Sequence, residues 1–168
     1  MANLKLEIKQ QAPFTNQEEE ALLNLVRTSD FMQRALQQHT RGWGLTSTQY
    51  NVLRILRGAQ PDGLQCAAIG ERMIAAEPDI TRLLGRLKAH KLVRQHRDPH
   101  DRRVVWTQIS EAGLKLLREM DPLIERLPRE LLGHMTRQEL DELIRLLEKA
   151  RHPCLGKQAQ ESARKSGK

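Results

Sequence analysis

The hydrophobic pattern of this chain changes its period in one region, and that change limits the fold more than any other feature. Over most of the 168 residues, apolar side chains recur every three to four positions, which is typical of amphipathic helices. In LVRQHR (92–97) and VVWTQIS (104–110) the period is two, and β-branched and aromatic residues accumulate. The turn residues DPHD lie between these segments. The sequence therefore predicts one β-hairpin, with a basic tip, in a helical chain.

Two helices are predicted well before the hairpin. Residues 17–40 place apolar side chains along one stripe of a 3.6-residue period, and Gly42 ends that helix. Thr46 lies three residues before Gln49, which is the spacing of a capping box. A second helix is therefore expected to begin there, and it stops near residues 58–61.

Two shorter helices follow. LQCAAIGERM predicts one that exposes Gln65 and Arg72. EPDITRLLGRLKAHKLV predicts another, with Pro78 in its first turn and Asp79 complementing the helix dipole. Its inward face is formed by Ile80, Leu83, Leu84 and Leu87. Any functional side chains of this helix must therefore lie on its polar side. That side is formed by Thr81, Arg82, Gly85, Arg86 and Lys88.

Helices are also predicted after the hairpin. Ser110 can cap the first of them, which Pro122 and Pro128 kink or divide. Thr136 and Glu139 have capping-box spacing and open a last amphipathic helix. The order of elements, which is helix, helix, short helix, basic helix and hairpin, is that of a winged helix-turn-helix.

Positive charge is concentrated in one segment. The net charge is +7, and residues 82–103 contribute +6 of it, from eight Lys and Arg residues against Asp98 and Asp101. Residues 156–168 contribute +3, so the rest of the chain is slightly negative. A basic patch on a near-neutral body indicates phosphate binding, and a merely solvated basic surface is the alternative.

Several classes of function lack support in the sequence. There is no run of about 18 apolar residues and no signal-peptide pattern, so we expect a cytoplasmic protein without membrane contact. Cys66 and Cys154 are too few for a disulfide framework and are expected to be thiols. The histidines lack the close spacing of metal ligands, and no nucleophile–base motif or phosphate loop is present. We therefore expect no enzyme activity, no metal and no cofactor.

The segment PDITRLLGRLKAHKLVRQHRDPHDRRVVWTQISEAGLKLL resembles the MarR family of bacterial transcriptional regulators. The resemblance lies in the T-R-L-L-x-R-L helix, the K-L-V strand entry, the D-x-R wing and the I-S-x-x-G exit, and it extends to the long flanking helices. Lys91 stands where the family often has Gly, and Ser110 stands where it often has Thr. Both departures are mild.

The resemblance implies a fold that is mainly α with a small β-hairpin wing, namely a winged helix-turn-helix flanked by N- and C-terminal dimerisation helices. Residues 17–151 would form a single domain. Within this domain we expect dimerisation helices (17–45 and 111–151) and a winged helix DNA-binding lobe (46–110). An N-terminal extension (1–16) precedes the domain and a disordered basic tail (152–168) follows it.

The resemblance also implies a homodimeric repressor that binds double-stranded DNA at a pseudo-palindromic operator. Arg82 is the best candidate for a bidentate guanine contact, and Gln65 lies where free helix N–H groups can bind phosphate. In the wing, the D-x-R motif implies that Asp101 braces Arg103 for the minor groove or its phosphates, while Asp98 fits the turn. The expected DNA-binding residues are Gln65, Asp79, Thr81, Arg82, Arg86 (which could instead have an intramolecular partner), Arg97, Asp101, Arg102 and Arg103.

A small aromatic or phenolic anion is the effector that the resemblance implies. Four candidate pocket residues cluster in sequence: His39, Arg41, Trp43 and Tyr50. A Trp and a Tyr at a helix junction are also commonly core residues. Three other functions stay open: a sequence-independent architectural DNA-binding protein, a winged helix that binds proteins, and a thiol-based redox-sensing regulator that acts through Cys66.

Overall fold

The computed structural model describes the backbone of residues 3–166 and the side chains of residues 3–153. These residues form two compact units that divide between Leu127 and Pro128. The elements are α1 (Leu4–Glu7), α2 (Gln17–Arg41), α3 (Ser47–Gly58), β1 (Leu64–Gln65), α4 (Cys66–Arg72), α5 (Ile80–Ala89), β2 (Val93–Arg97), β3 (Val105–Ile109), α6 (Glu111–Ile124), α7 (Leu127–Leu132) and α8 (Arg137–Ser166). Within this part of the chain, no helix has both the length and the apolar character needed to cross a membrane.

The predicted capping residues begin their helices. At the start of α3 the backbone N–H of Gln49 donates to Thr46 Oγ1 at 3.1 Å, and the backbone N–H of Thr46 donates to Gln49 Oε1 at 2.9 Å. Ser110 Oγ accepts a backbone N–H of the first turn of α6 at 3.1 Å. In the second unit, Thr136 and Glu139 form the same reciprocal pair before α8. These bonds confirm the predicted helix starts, because they satisfy N–H groups that a first turn leaves unpaired.

The predicted hairpin is confirmed, and it belongs to a three-stranded antiparallel sheet of order β1-β3-β2. β2 and β3 pair from Val93 opposite Ile109 to Arg97 opposite Val105. β1 pairs with the other edge of β3 and has only two residues. β1 is not predicted from the sequence, because two residues are too few to show a period.

Gly63 allows the chain to enter β1. Its φ is +79°, in the left-handed region where side chains other than hydrogen are disfavoured. A Cβ at this position would also collide with the carbonyl group of Thr107 in β3. Glycine is therefore required here by both the backbone conformation and the close approach of β3.

The core of the first unit lies between α3, α4, α5, α6 and the sheet. α5 turns its leucines into this core as predicted, and the exposed fraction is 7% for Leu83, 2% for Leu84 and 0% for Leu87. The other large side chains that are fully buried there include Leu53, Leu56, Ile69, Leu117 and Met120. Each fully buried leucine stabilises the fold by about 1.5 to 3 kcal/mol relative to an exposed one.

One ion pair joins α3 to α6. Arg57 Nη1 donates to Asp121 Oδ2 at 2.6 Å, and both side chains are partly buried. The hydrogen bond with Asp121 raises the pKa of Arg57. Tyr50 lies in the electrostatic neighbourhood of this pair, and burial raises the pKa of its hydroxyl group. Arg57 and Asp121 are 64 positions apart, so no local sequence pattern indicates that they meet.

Two helix boundaries lie beside prolines. α5 begins at Ile80, later than predicted, because the Asp79 carboxylate accepts the backbone N–H of Arg82 at 2.9 Å and makes Asp79 the N-cap. Pro78 therefore precedes the cap and does not belong to the first turn. The predicted division of the later helix near Pro128 is confirmed, since α7 begins one residue before it.

α8 extends beyond the end that the composition predicts. Residues 152–168 are expected to be a disordered tail, but α8 continues to Ser166, and the last two residues lie outside the described ones. Low hydrophobicity suggests disorder for this segment, yet residues 157–165 are mostly Lys, Gln, Ala, Glu and Arg. These residue types have high helix propensity, which gives the backbone a physical reason to remain helical.

Candidate nucleic-acid interface

The polar side of α5 is exposed to solvent. Thr81, Arg82 and Arg86 are exposed, on the side opposite the buried leucines. Within the described residues, no acidic side chain forms an ion pair with Arg82 or Arg86. Asp79 is exposed as well, but its carboxylate is engaged in capping the helix. The two guanidinium groups of α5 are therefore free to present their planar donors to phosphates or base edges.

The start of α4 lies next to both α5 and the hairpin. Gln65 is the N-cap of α4, and its exposed side chain makes no capping hydrogen bond. Its backbone pairs with Trp106 in β3. The next residue, Cys66, places its Sγ 3.9 Å from Thr81 Oγ1 in α5. The structure thus brings Gln65, the N-terminus of α5 and the wing strand close together, although they are separated in sequence.

Asp98 organises the turn between the two wing strands. Its Oδ1 accepts the backbone N–H of His100 at 2.8 Å and that of Asp101 at 3.1 Å. Its Oδ2 accepts the indole N–H of Trp106 at 3.0 Å. The Trp106 hydrogen bond, followed by the two backbone N–H groups, lowers the pKa of Asp98. Asp98 is therefore ionised at neutral pH, and the three hydrogen bonds that its carboxylate accepts hold the turn in one conformation.

Asp101 does not brace the side chain of Arg103, which corrects the expectation from the D-x-R motif. Its Oδ1 accepts the backbone N–H of Arg103 at 2.9 Å, and no ion pair involves the Arg103 guanidinium within the described part of the chain. A short aspartate side chain readily reaches the backbone amide two residues ahead, which is the geometry of an Asx turn. Arg97, Arg102 and Arg103 are all exposed, so the wing presents three cations on a turn of fixed shape.

The role of Asp98 is broader than the sequence analysis predicts. An aspartate at the start of DPHD indicates an Asx turn, but not a partner on the opposite strand. That partner depends on the hairpin register, which places His96 opposite Trp106 and thereby brings the indole ring within reach of Asp98. Asp98 is thus a candidate positioning residue beside the nine predicted DNA-binding residues, all of which are exposed.

The four candidate effector residues differ in their surroundings. Tyr50 is only 4% exposed and belongs to the core, and Trp43 packs against that core. His39 is half-buried and its Nδ1 lies 2.8 Å from the carbonyl oxygen of Ala35, whereas Arg41 is exposed. Trp43 and Tyr50 therefore have the structural role that the sequence analysis gives as the alternative.

The cysteines and the other possible metal ligands complete the set of reactive side chains. Cys66 is a half-buried free thiol whose Sγ lies 3.9 Å from the Thr81 hydroxyl oxygen. The side chain of Cys154 lies outside the described residues. Among the side chains that the structure describes, no three His, Cys, Asp or Glu residues form a group that could hold a metal ion.

Comparison with known proteins identifies relatives of this arrangement. A model of the MarR family matches residues 43–104, which include α3, α4, α5 and the turn of the wing. The chain is also similar to the transcriptional regulator HosA of Escherichia coli O111:H-, with 28% identity over 123 residues that cover 70% of this chain and 90% of HosA.

Two solved structures extend the comparison to the flanking helices. A MarR transcription factor from Planctomyces limnophilus is 40% identical, with a TM-score of 0.62 and coverage of 82% of this chain and 98% of that one. BpsR from Bordetella bronchiseptica is 27% identical, with a TM-score of 0.69 and coverage of 79% and 98%. The BpsR structure concerns the regulation of its DNA binding by 6-hydroxynicotinic acid.

Asp98→Ala should disorder the tip of the wing without unfolding the protein, because it removes the common acceptor of three hydrogen bonds. The amides of His100 and Asp101 should exchange with solvent faster, and the indole N–H resonance of Trp106 should shift. Trp43 provides an internal reference in the same spectrum. Since the pKa of Asp98 is lowered, the pH-induced change of the Trp106 resonance should have its midpoint below 3.8, the ordinary pKa of an aspartate.

Asp101→Ala is the matched control for this substitution. It removes one acceptor in the same turn but leaves the hydrogen bond between Asp98 and Trp106 in place. Its Trp106 indole resonance should therefore stay close to that of the original protein. Equal shifts in the two variants would contradict the central role of Asp98.

Proposed function

This chain belongs to the MarR family of transcriptional regulators with a DNA-binding winged helix, and from this membership we propose that it is a homodimeric, sequence-specific repressor in the cytoplasm. The observation that supports this function best is the exposed cationic face of α5 beside a wing of fixed shape. Phosphate contacts position such a protein on the duplex, whereas contacts to base edges select the sequence.

We propose that α5 is the recognition helix and enters the major groove. Arg82 lies in the first turn of α5, and its exposed guanidinium suits a bidentate contact to guanine. Arg86, one turn further along, reaches either a second base or a phosphate. Gln65, at the start of α4, contacts the backbone of the same half-site. These roles are supported by the exposure of the three side chains.

The wing contributes phosphate or minor-groove contacts in this proposal. Arg97, Arg102 and Arg103 extend from a turn that Asp98 holds, so less backbone freedom is lost when they bind. The two aspartates of this basic segment thereby favour DNA binding through shape, although each adds a negative charge. Asp101 contributes by fixing the backbone at Arg103 rather than its side chain.

A second copy of the chain is proposed to cover the apolar side chains of α2. Leu22 and Val26 are each 59% exposed and are one helical turn apart. In the second unit, Ile144 and Leu146 of α8 are also exposed. Leu22 and Val26, one turn apart on the long helix α2, favour a helical interface between two subunits. A two-fold dimer would present two copies of α5 to a pseudo-palindromic operator.

A small aromatic anion is the proposed effector that weakens DNA binding. The regulation of DNA binding by 6-hydroxynicotinic acid in BpsR supports this class of ligand. Of the four predicted residues, Arg41 and His39 remain candidates for binding the anionic group, whereas Tyr50 belongs to the core and Trp43 packs against it.

Selection of random duplexes by the purified protein should yield a single motif with two-fold symmetry. The physical reason is that two identical recognition helices read two identical half-sites. The measurement is sequencing of the selected DNA, followed by titration of the selected duplex and a scrambled duplex at one salt concentration. Enrichment of no motif, with equal binding of both duplexes, would favour the architectural alternative.

Arg82→Ala should weaken binding to the selected duplex by about 1 to 3 kcal/mol and binding to the scrambled duplex by less, because a base contact is lost. Arg118→Ala is the matched control, since Arg118 is an exposed arginine of α6 outside the proposed interface. It should leave the preference for the selected duplex unchanged. Equal losses on both duplexes with Arg82→Ala would make Arg82 a phosphate contact.

Val26→Glu should dissociate the dimer, because it places a charge in an apolar interface. We expect the dimer dissociation constant, measured by sedimentation, to rise at least about a hundredfold. Thr28→Glu introduces the same charge about 200° around α2 and should leave the dimer intact. A Val26→Glu protein that remains dimeric would exclude this face of α2 from the interface.

A further inference from the structure

Gly85 lies within α5, at a position where the fold does not require glycine. It is the sixth of the ten residues of the helix, and glycine is the least favourable ordinary residue in a helix interior. Its φ is not in the left-handed region, in contrast to Gly44 and Gly63. A Cβ on Gly85 would meet no atom within 4 Å, whereas one on Gly63 would collide with β3. Neither its backbone conformation nor packing against the residues that the structure describes accounts for this glycine.

The surroundings of Gly85 place it in the middle of the cationic face. It lies opposite the buried leucines and is exposed. Arg82 precedes it by one turn, and Arg86 is the next residue. Thr81 and Ala89, four positions before and after it, are also exposed and small. Around the helix, Gly85 lies between Arg82 and Lys88, which are both exposed and each about 60° from it. A bulky group that approaches α5 between these two cations therefore meets the helix backbone first at Gly85.

We infer that Gly85 is the point of closest approach between α5 and the DNA, where the missing side chain admits the edge of a base pair. This inference rests on the proposed role of α5 as the recognition helix. A hydrogen bond from a guanidinium to a base tolerates only about 0.5 Å of variation in donor–acceptor distance. Even a methyl group at position 85 holds the helix away from the groove, so that Arg82 and Arg86 no longer reach their partners together.

The test is a series of side chains of increasing size, Gly85→Ala, Gly85→Ser and Gly85→Leu, in the full-length protein. Gly85→Ala should raise Tm by about 2 to 4 °C, because alanine favours the helix and nothing obstructs it. The same variant should bind the selected duplex about tenfold more weakly or worse, and Gly85→Leu should lose the preference for that duplex. Stability and specific affinity are thus expected to change in opposite directions.

Gly58→Ala is the matched control for this series. Gly58 is the last residue of α3, is exposed, and has equally open space around the position of a Cβ. Its substitution should not lower stability and should leave DNA affinity unchanged. The salt dependence of binding should also stay the same in Gly85→Ala, because no cation is removed.

Two outcomes would overturn the inference about Gly85. One is a Gly85→Ala protein that binds the selected duplex as tightly as the original. The other is a loss of both stability and binding, which would show that the glycine serves the fold. Failure of the original protein to select any motif is a different result, because it would contradict the proposed function itself.

Discussion

The burial of one face of α5 is the constraint on which the rest of this structure depends. Leu83, Leu84 and Leu87 lie in the core, and turning the helix by a single residue, about 100°, would expose leucine to water. The packing of these leucines therefore makes the opposite face of α5 point toward solvent. The arginines on that face do not determine its orientation. The proposed recognition surface has a fixed orientation because it is the reverse side of a packed core.

The shape of the wing depends on one carboxylate side chain, that of Asp98. In a segment dominated by arginine, the Asp98 carboxylate gathers two turn amides and the Trp106 indole, and this arrangement lowers its pKa. The carboxylate adds repulsion toward a polyanion, but it also reduces the conformational entropy that the wing loses on binding. A basic turn without such an acceptor would have a higher net positive charge, but the positions of its cations would be less well defined.

The contact between α3 and α6 connects the DNA-binding elements to a flanking helix. The ion pair of Arg57 with Asp121 is short and partly buried, and it lies beside Tyr50 of the core. A movement of α6 relative to α3 must lengthen this pair or displace its neighbours. Membership of the MarR family makes such a connection relevant to regulation, since the proposed dimer and effector sites involve the flanking helices.

The sequence by itself determined the features that arise from neighbouring residues. The helix caps at Thr46 and Ser110, the inward face of α5 and the two wing strands follow from local hydrogen bonding and from apolar periodicity. Tertiary structure alone decided the pairing of β1, the indole partner of Asp98 and the meeting of Arg57 with Asp121. The physical reason is that these contacts join distant segments, so they depend on strand register and helix packing, which no short stretch of sequence specifies.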